Sequence, residues 1–149
     1  MNKPTVLILC NALDDATRTQ RRISSDSPAA SRKIFGMAQA LQNSGVQTYI
    51  LSLGRGSTDG SSDSYEGFSR RIHGIPTIYA PFSHRALWSK VLSLFGLLGA
   101  VARLAKCENR TIIFYNRLPA YFPILLTAKW LGYRCYLDLE DGEVSLRAS

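Results

Sequence analysis

Four carboxylates crowd the segment Tyr136–Glu143, YLDLEDGE: Asp138, Glu140, Asp141 and Glu143. No basic residue stands among them. Like charges this close disfavour full ionisation, and a carboxyl held partly protonated is what a general acid or base requires. Alternate residues of a strand share a face, so Asp138 and Glu140 point the same way where the strand continues through both. The competing reading is a polar strand end with an Asp that caps a helix. A second pair, Asn116–Arg117, closes the apolar run TIIFY. A guanidinium at a sheet edge suits a phosphate or a sugar hydroxyl. A salt bridge from Arg117 to the acidic cluster explains it equally well.

Both groups sit at the carboxyl ends of expected strands. The stretch 110–143 reads strand, helix, strand, with Pro119 and Pro123 in the helix's opening turns and Gly132 closing it. A continuous apolar strand is buried on both faces, which is how parallel strands look. One helix between them makes the two strands parallel with a right-handed crossover. Their carboxyl ends then share one edge of the sheet, the edge where open α/β sheets bind ligands.

Upstream, Thr5–Cys10 reads as a buried strand and the stretch Asn11–Asp26 as a long polar loop. Ser27 reads as an N-cap and Pro28 as the first residue of a helix to about Ser44, with Gly45 at the C′ position. Thr48–Leu53 reads as a second strand. Gly54–Gly67, rich in Gly, Ser and Asp, reads as a mobile loop. Gly74–Ala80 is the third strand, reached through a loop alone, which leaves a hairpin-like or edge arrangement open there. Ala86–Cys107 is a long helix. The alternation predicts one α/β domain, doubly wound, with a mainly parallel sheet of five strands. A chain of 149 residues is one ordinary domain and buries roughly 70% of its unfolded surface.

The net charge is +7, and Ser69–Arg117 carries that much alone: Arg70, Arg71, Arg85, Lys90, Arg103, Lys106, Arg110 and Arg117 against Glu108. Arg18, Arg21, Arg22, Arg32 and Lys33 form a second basic group. Such a field attracts anionic partners, among them phosphate, pyrophosphate and acidic lipid; a solvated basic face is the plainer explanation. Nucleic acid is not expected, because no RNP, KH or zinc pattern accompanies the charge. Cys10, Cys107 and Cys135 have no metal spacing and read as reduced thiols of a cytoplasmic protein. His73 and His84 are isolated and read as surface or capping residues. Gly54-Arg55-Gly56 lacks the strand–helix setting of a dinucleotide fingerprint. In the long helix the apolar block Val91–Ala102 is 12 residues, against about 20 for a crossing. It is therefore expected either in the core or as a basic amphipathic helix on anionic lipid.

The segment SPAASRKIFGMAQALQNSGVQTYILSLGRG resembles the first helix and second strand of family 4-type GT-B glycosyltransferases, and IIFYNRLPAYFPILLTAKWLGYRCYLDLEDGE resembles the unit leading to their D-x-E-D-G-E loop. The resemblance implies a Rossmann-like domain that holds a glycan or lipid-linked sugar acceptor. The nucleotide-sugar donor then needs a second domain or subunit, and no cofactor or catalytic metal is implied. On that reading Asp141 and Glu140 are the candidate catalytic groups, and Asn11, Asn116 and Arg117 are substrate-binding. Two departures stand out: the glycine-rich loop common after the first strand is replaced by NALDDATRTQRRISSDSP, and no donor-domain pattern is present. By itself the chain is expected to be inactive in transfer, and to lie in the cytoplasm or on the inner face of the membrane. The alternative from another class is a non-catalytic α/β module that docks an anionic partner or membrane surface through the basic segment.

Overall fold

The computed structural model describes residues 3–57, 61–116 and 118–139. A six-stranded sheet organises the domain. Its strands are β1 (Thr5–Cys10), β2 (Gln47–Ser52), β4 (Phe68–Ile72), β5 (Ile75–Tyr79), β7 (Arg110–Tyr115) and β8 (Arg134–Asp138), in the order β4-β5-β2-β1-β7-β8. From β5 to β8 all neighbours are parallel, and only β4 runs antiparallel, at one edge. The fold is therefore α/β with a mainly parallel, Rossmann-like sheet. The five expected strands are its parallel part, and β4 is the addition. A second ribbon pairs β3 (Ser64–Tyr65) with β6 (Phe82–Ser83).

The β4–β5 hairpin settles the arrangement left open by the sequence. Its two-residue turn is His73-Gly74, both with positive φ (50° and 79°), the requirement of the tight turn that matches strand twist. Pro76 stands beyond the β2 ladder, which begins at Thr77, so its missing N–H costs no bond to β2.

Helix α2 (Pro28–Asn43) begins as the residues dictate. The Ser27 hydroxyl accepts from the Ala30 N–H at 3.4 Å, with Pro28 in the first turn. It ends in a Schellman motif, Val46 N–H to Leu41 C=O and Gly45 N–H to Gln42 C=O. Helix α4 (Phe122–Trp130), entered through a 3₁₀ turn Pro119–Tyr121, ends the same way on Tyr133 and Gly132. Helix α2 packs Ile34, Phe35 and Ala38 on one face of the sheet, against Ile8, Cys10 and Ile50. Helix α3 (Ala86–Leu104) and α4 cover the other face, where Leu97, Ala100, Val101, Ile124 and Ala128 meet Leu7, Leu9, Leu51 and Ile112. Full burial of each Leu, Ile or Val side chain contributes about 1.5–3 kcal/mol.

The stretch read as a polar loop after β1 contains a short helix, α1 (Asp15–Gln20), capped by Asp14. The loop after β2 is tied into structure at Ser64–Tyr65 by the ribbon to β6. Helix α3 is also longer than its apolar block. At 19 residues it has the length and composition of a membrane crossing, yet one side of it is seated on the domain.

Candidate functional site at the carboxyl edge of the sheet

Because β5, β2, β1, β7 and β8 are parallel, their carboxyl ends lie on one edge. Asn11 follows β1 there, Arg55 follows β2, Asn116 follows β7 and Asp138 ends β8. Two devices hold the loops over this edge.

The first is Asn11. Its Nδ2 donates to the Arg55 carbonyl at 2.7 Å, and its Oδ1 accepts from the Arg55 N–H at 2.9 Å. The carboxamide thus copies a strand-like pair between two loops, and its hydrogen-bonding atoms face Arg55 rather than a ligand. The residue it fixes, Arg55, is half-buried and was missed as a site residue. Its signal was Gly54-Arg55-Gly56, which opens the carboxyl-edge loop although it is no dinucleotide fingerprint.

The second is Arg21. It is fully buried, with no carboxylate partner among the described residues. Its two Nη atoms donate to the carbonyls of Gly54 and Ala80 at 2.8 Å each, with a longer bond to Glu66. These are loop carbonyls just past β2 and β5. The guanidinium lies 5.3–5.8 Å from the ring centres of Phe68, Tyr79 and Phe82, so ring faces and peptide dipoles replace its water. Desolvation still pushes its pKa down, to about 10, which leaves it charged at neutral pH. Its own carbonyl accepts from His84 Nε2 at 2.9 Å. His84 is therefore no surface residue: it is buried, with its ring edge-on to Phe82 and Tyr65. Gly54 is required beside it, since a Cβ there would stand 2.5 Å from the Arg21 Nη1 and φ is +58°.

Around these lies a polar shell. The Asp14 carboxylate accepts from the Tyr79 hydroxyl at 2.7 Å and from the Thr17 hydroxyl and N–H, and pairs with Arg70 at 3.3 Å. Burial alone would raise its pKa, but these donors outweigh burial and hold it below the ordinary carboxylate range. Three of the five cations of the second basic group are paired: Arg18 forms a bidentate pair with Asp26 at 2.8 Å and meets Asp15, Arg22 meets Asp63, and Lys33 lies 3.8 Å from Asp138. Cys10 is buried, its thiol pushed up to about 12 by desolvation, so it is inert at neutral pH. Among the described residues no group of three metal-ligating side chains stands together.

Asn116 adopts a left-handed backbone (φ 64°), which Asn tolerates better than most residues. Its N–H donates to the Asp138 carbonyl at 2.8 Å. It lines a cleft of about 750 Å³ with Phe114, Tyr121, Lys129 and Cys135. Asn11 is not among the residues of that cleft. The Tyr121 hydroxyl is buried with no hydrogen-bond partner among the described residues. Burial raises its pKa, the Cys10 thiol raises it further, and the Arg55 guanidinium opposes both, which places it in the field of the same edge. It is the second residue that the sequence reading missed. Arg117, Glu140 and Asp141 lie outside the described residues.

The edge thus presents Asn116 in a cleft that Tyr121 also lines, with the Arg55 backbone held by Asn11 over the neighbouring strand ends, an arrangement able to position a hydroxylated ligand. Compared with models of protein families, with curated proteins and with solved structures, the chain finds no match.

Proposed function

We propose that this domain holds the acceptor of a GT-B-type glycosyltransferase, a glycan or lipid-linked sugar, for transfer from a nucleotide-sugar donor held by a second domain or subunit. The observation that carries this reading is the locked carboxyl edge of five parallel strands. Sugar transfer depends on setting an acceptor hydroxyl against the donor's anomeric carbon, and such placement accounts for much of the barrier reduction. Rigid loops over a sheet edge, with amide, guanidinium and phenol groups among them, support that use. In the proposed roles Asn116, Arg117, Arg55 and Tyr121 orient the acceptor, while Asn11 keeps Arg55 in place. Asp141 or Glu140 takes the proton as the acceptor oxygen bonds to the anomeric carbon and the nucleoside diphosphate leaves.

The test is nuclear magnetic resonance on the labelled chain. Oligosaccharide or lipid-linked sugar fragments are expected to shift the Asn116 and Arg55 signals, and nucleotide sugars to shift nothing. Micromolar binding of a nucleotide sugar to this chain, or acceptor shifts confined to other surfaces, would overturn the reading. With a donor-binding partner supplied, Asp141→Asn is expected to slow transfer ~10²–10⁴-fold at an unchanged melting temperature.

A further inference from the structure

The first half of helix α3 is built inside out, while Leu97, Ala100 and Val101 of its second half pack on the sheet. Its buried positions include Ser89 and Ser93, and Gly96 is pressed so close to Pro81 that a Cβ would stand 2.5 Å away. Four large apolar side chains of that half point the other way: Leu87 is 80% exposed, Phe95 69%, Trp88 53% and Val91 43%. Trp88, Val91 and Phe95 are spaced i, i+3, i+7 and so share one outward face. Helix α4 repeats the pattern with Phe122, Leu126 and Trp130, the last 84% exposed, spaced i, i+4, i+8. Both helices cover the same face of the sheet and pack against each other. Side chains turned away from the sheet therefore form one outer layer. An exposed apolar surface of this kind is uncommon on a soluble domain and marks an interaction site.

Charge selects the partner. Neither α3 nor α4 contains an acidic residue. Arg85, Lys90, Arg103 and Lys106 bracket the apolar stripe of α3, and Lys129 lies on α4. Arg85, Lys90, Lys106 and Lys129 make no ion pair among the described residues. We infer that this layer docks in plane on an anionic lipid bilayer, its aromatic and aliphatic side chains entering the headgroup boundary and its cations meeting lipid phosphates. An in-plane helix with Trp and Phe on one side and Lys and Arg at its margins is the interfacial pattern. A helix of 19 residues lying flat covers about 28 Å of membrane. The inference stands without the transfer reading, since it requires no sugar, although Phe122 and Lys129 also line the Asn116 cleft.

The chain supplies its own probe, because its two tryptophans, Trp88 and Trp130, are both in this layer. The full chain is titrated with vesicles of phosphatidylcholine, and with vesicles of phosphatidylcholine mixed with phosphatidylglycerol. Tryptophan emission is expected to shift to the blue, and to be quenched by brominated lipid, on the mixed vesicles only. Raising salt shortens the Debye length from about 10 Å at 0.1 M to about 3 Å at 1 M and is expected to release the protein. Replacing Arg85, Lys90, Arg103 and Lys106 by Gln together is expected to weaken binding on the order of 10³-fold, and Phe95→Ser to reduce quenching. No shift on anionic vesicles, or equal salt-independent binding to neutral ones, overturns the inference. So does a blue shift that appears without lipid and tracks self-association, which would give the face to a second protein surface.

Discussion

At the carboxyl edge, Arg18, Arg21, Arg22 and Arg70 each find partners inside the chain, whereas on and beside α3 and α4 Arg85, Lys90, Lys106 and Lys129 form no ion pair among the described residues. Apolar side chains divide the same way. Phe68, Tyr79 and Phe82 at the edge close around a guanidinium, while Trp88, Phe95 and Trp130 face outward. The first region spends its polar groups on holding loops still. The second leaves both its charge and its apolar area for something else. A net charge of +7 is thus a poor guide to where a protein can meet an anion, because part of the positive charge is already neutralised.

The largest expected effect separates the regions by stability. Arg21→Ala leaves the Gly54 and Ala80 carbonyls unpaired and opens a cavity, which costs about 3–5 kcal/mol, a fall of roughly 10 °C in melting temperature. Phe95→Ser is expected to stay within about 0.5 kcal/mol of wild type. Calorimetry on the two variants checks this, and a reversed order would break the comparison. A smaller effect is expected from Asn11→Ala, about 1–2 kcal/mol, with a specific sign in hydrogen exchange. The Arg55 amide, which donates to the Asn11 side chain, should exchange faster while amides inside β1 stay protected. Unchanged exchange at Arg55 would remove Asn11 from its scaffolding role.

The smallest expected effect is in acid. The folded Asp14 pKa lies below the unfolded value near 4. Its contribution is therefore present above about pH 4 and is lost as pH falls through the folded value. Between pH 6 and pH 2 the melting temperature of wild type should fall more steeply than that of Asp14→Asn. Parallel curves would show that the Tyr79, Thr17 and Arg70 contacts contribute nothing to the acid limb.

The sequence revealed most where its signals are local. Ser27-Pro28, Gly45 and Gly132 bound their helices, and continuous apolar runs mark β1, β2 and β7, so the parallel sheet and its ligand edge were legible. Strand β4 was missed because FSRRI alternates and carries two arginines; the readable sign was the turn His73-Gly74. Helix α1 is six residues, too short for a period, and only its Asp14 cap announces it. Arg21 and His84 could not be placed, because nothing local buries them: their partners are carbonyls and rings gathered from β4, β5, β6 and the loop after β2. For α3 the extent was nearly right. The orientation of its first half was not legible, since Ser89 and Ser93 take the inner side there and Gly96 meets Pro81. Of the candidate site, Asn11 and Asn116 do lie at the carboxyl edge, but Asn11 turns to Arg55 and only Asn116 lines the cleft.

The Arg21 clasp joins parts of the chain that are far apart in sequence, 33 residues to Gly54, 59 to Ala80 and 63 to His84. Closing spans of that size carries an entropy cost before any contact rewards it. Alignment of β1, β2 and β5 brings the Gly54 and Ala80 carbonyls together, and the clasp is expected to close after it. Interactions made after the folding barrier act on the rate of opening and hardly on the rate of folding. Its consequence is persistence: the buried arginine sets how long the assembled edge survives between openings, and so how seldom its loops are offered to a protease.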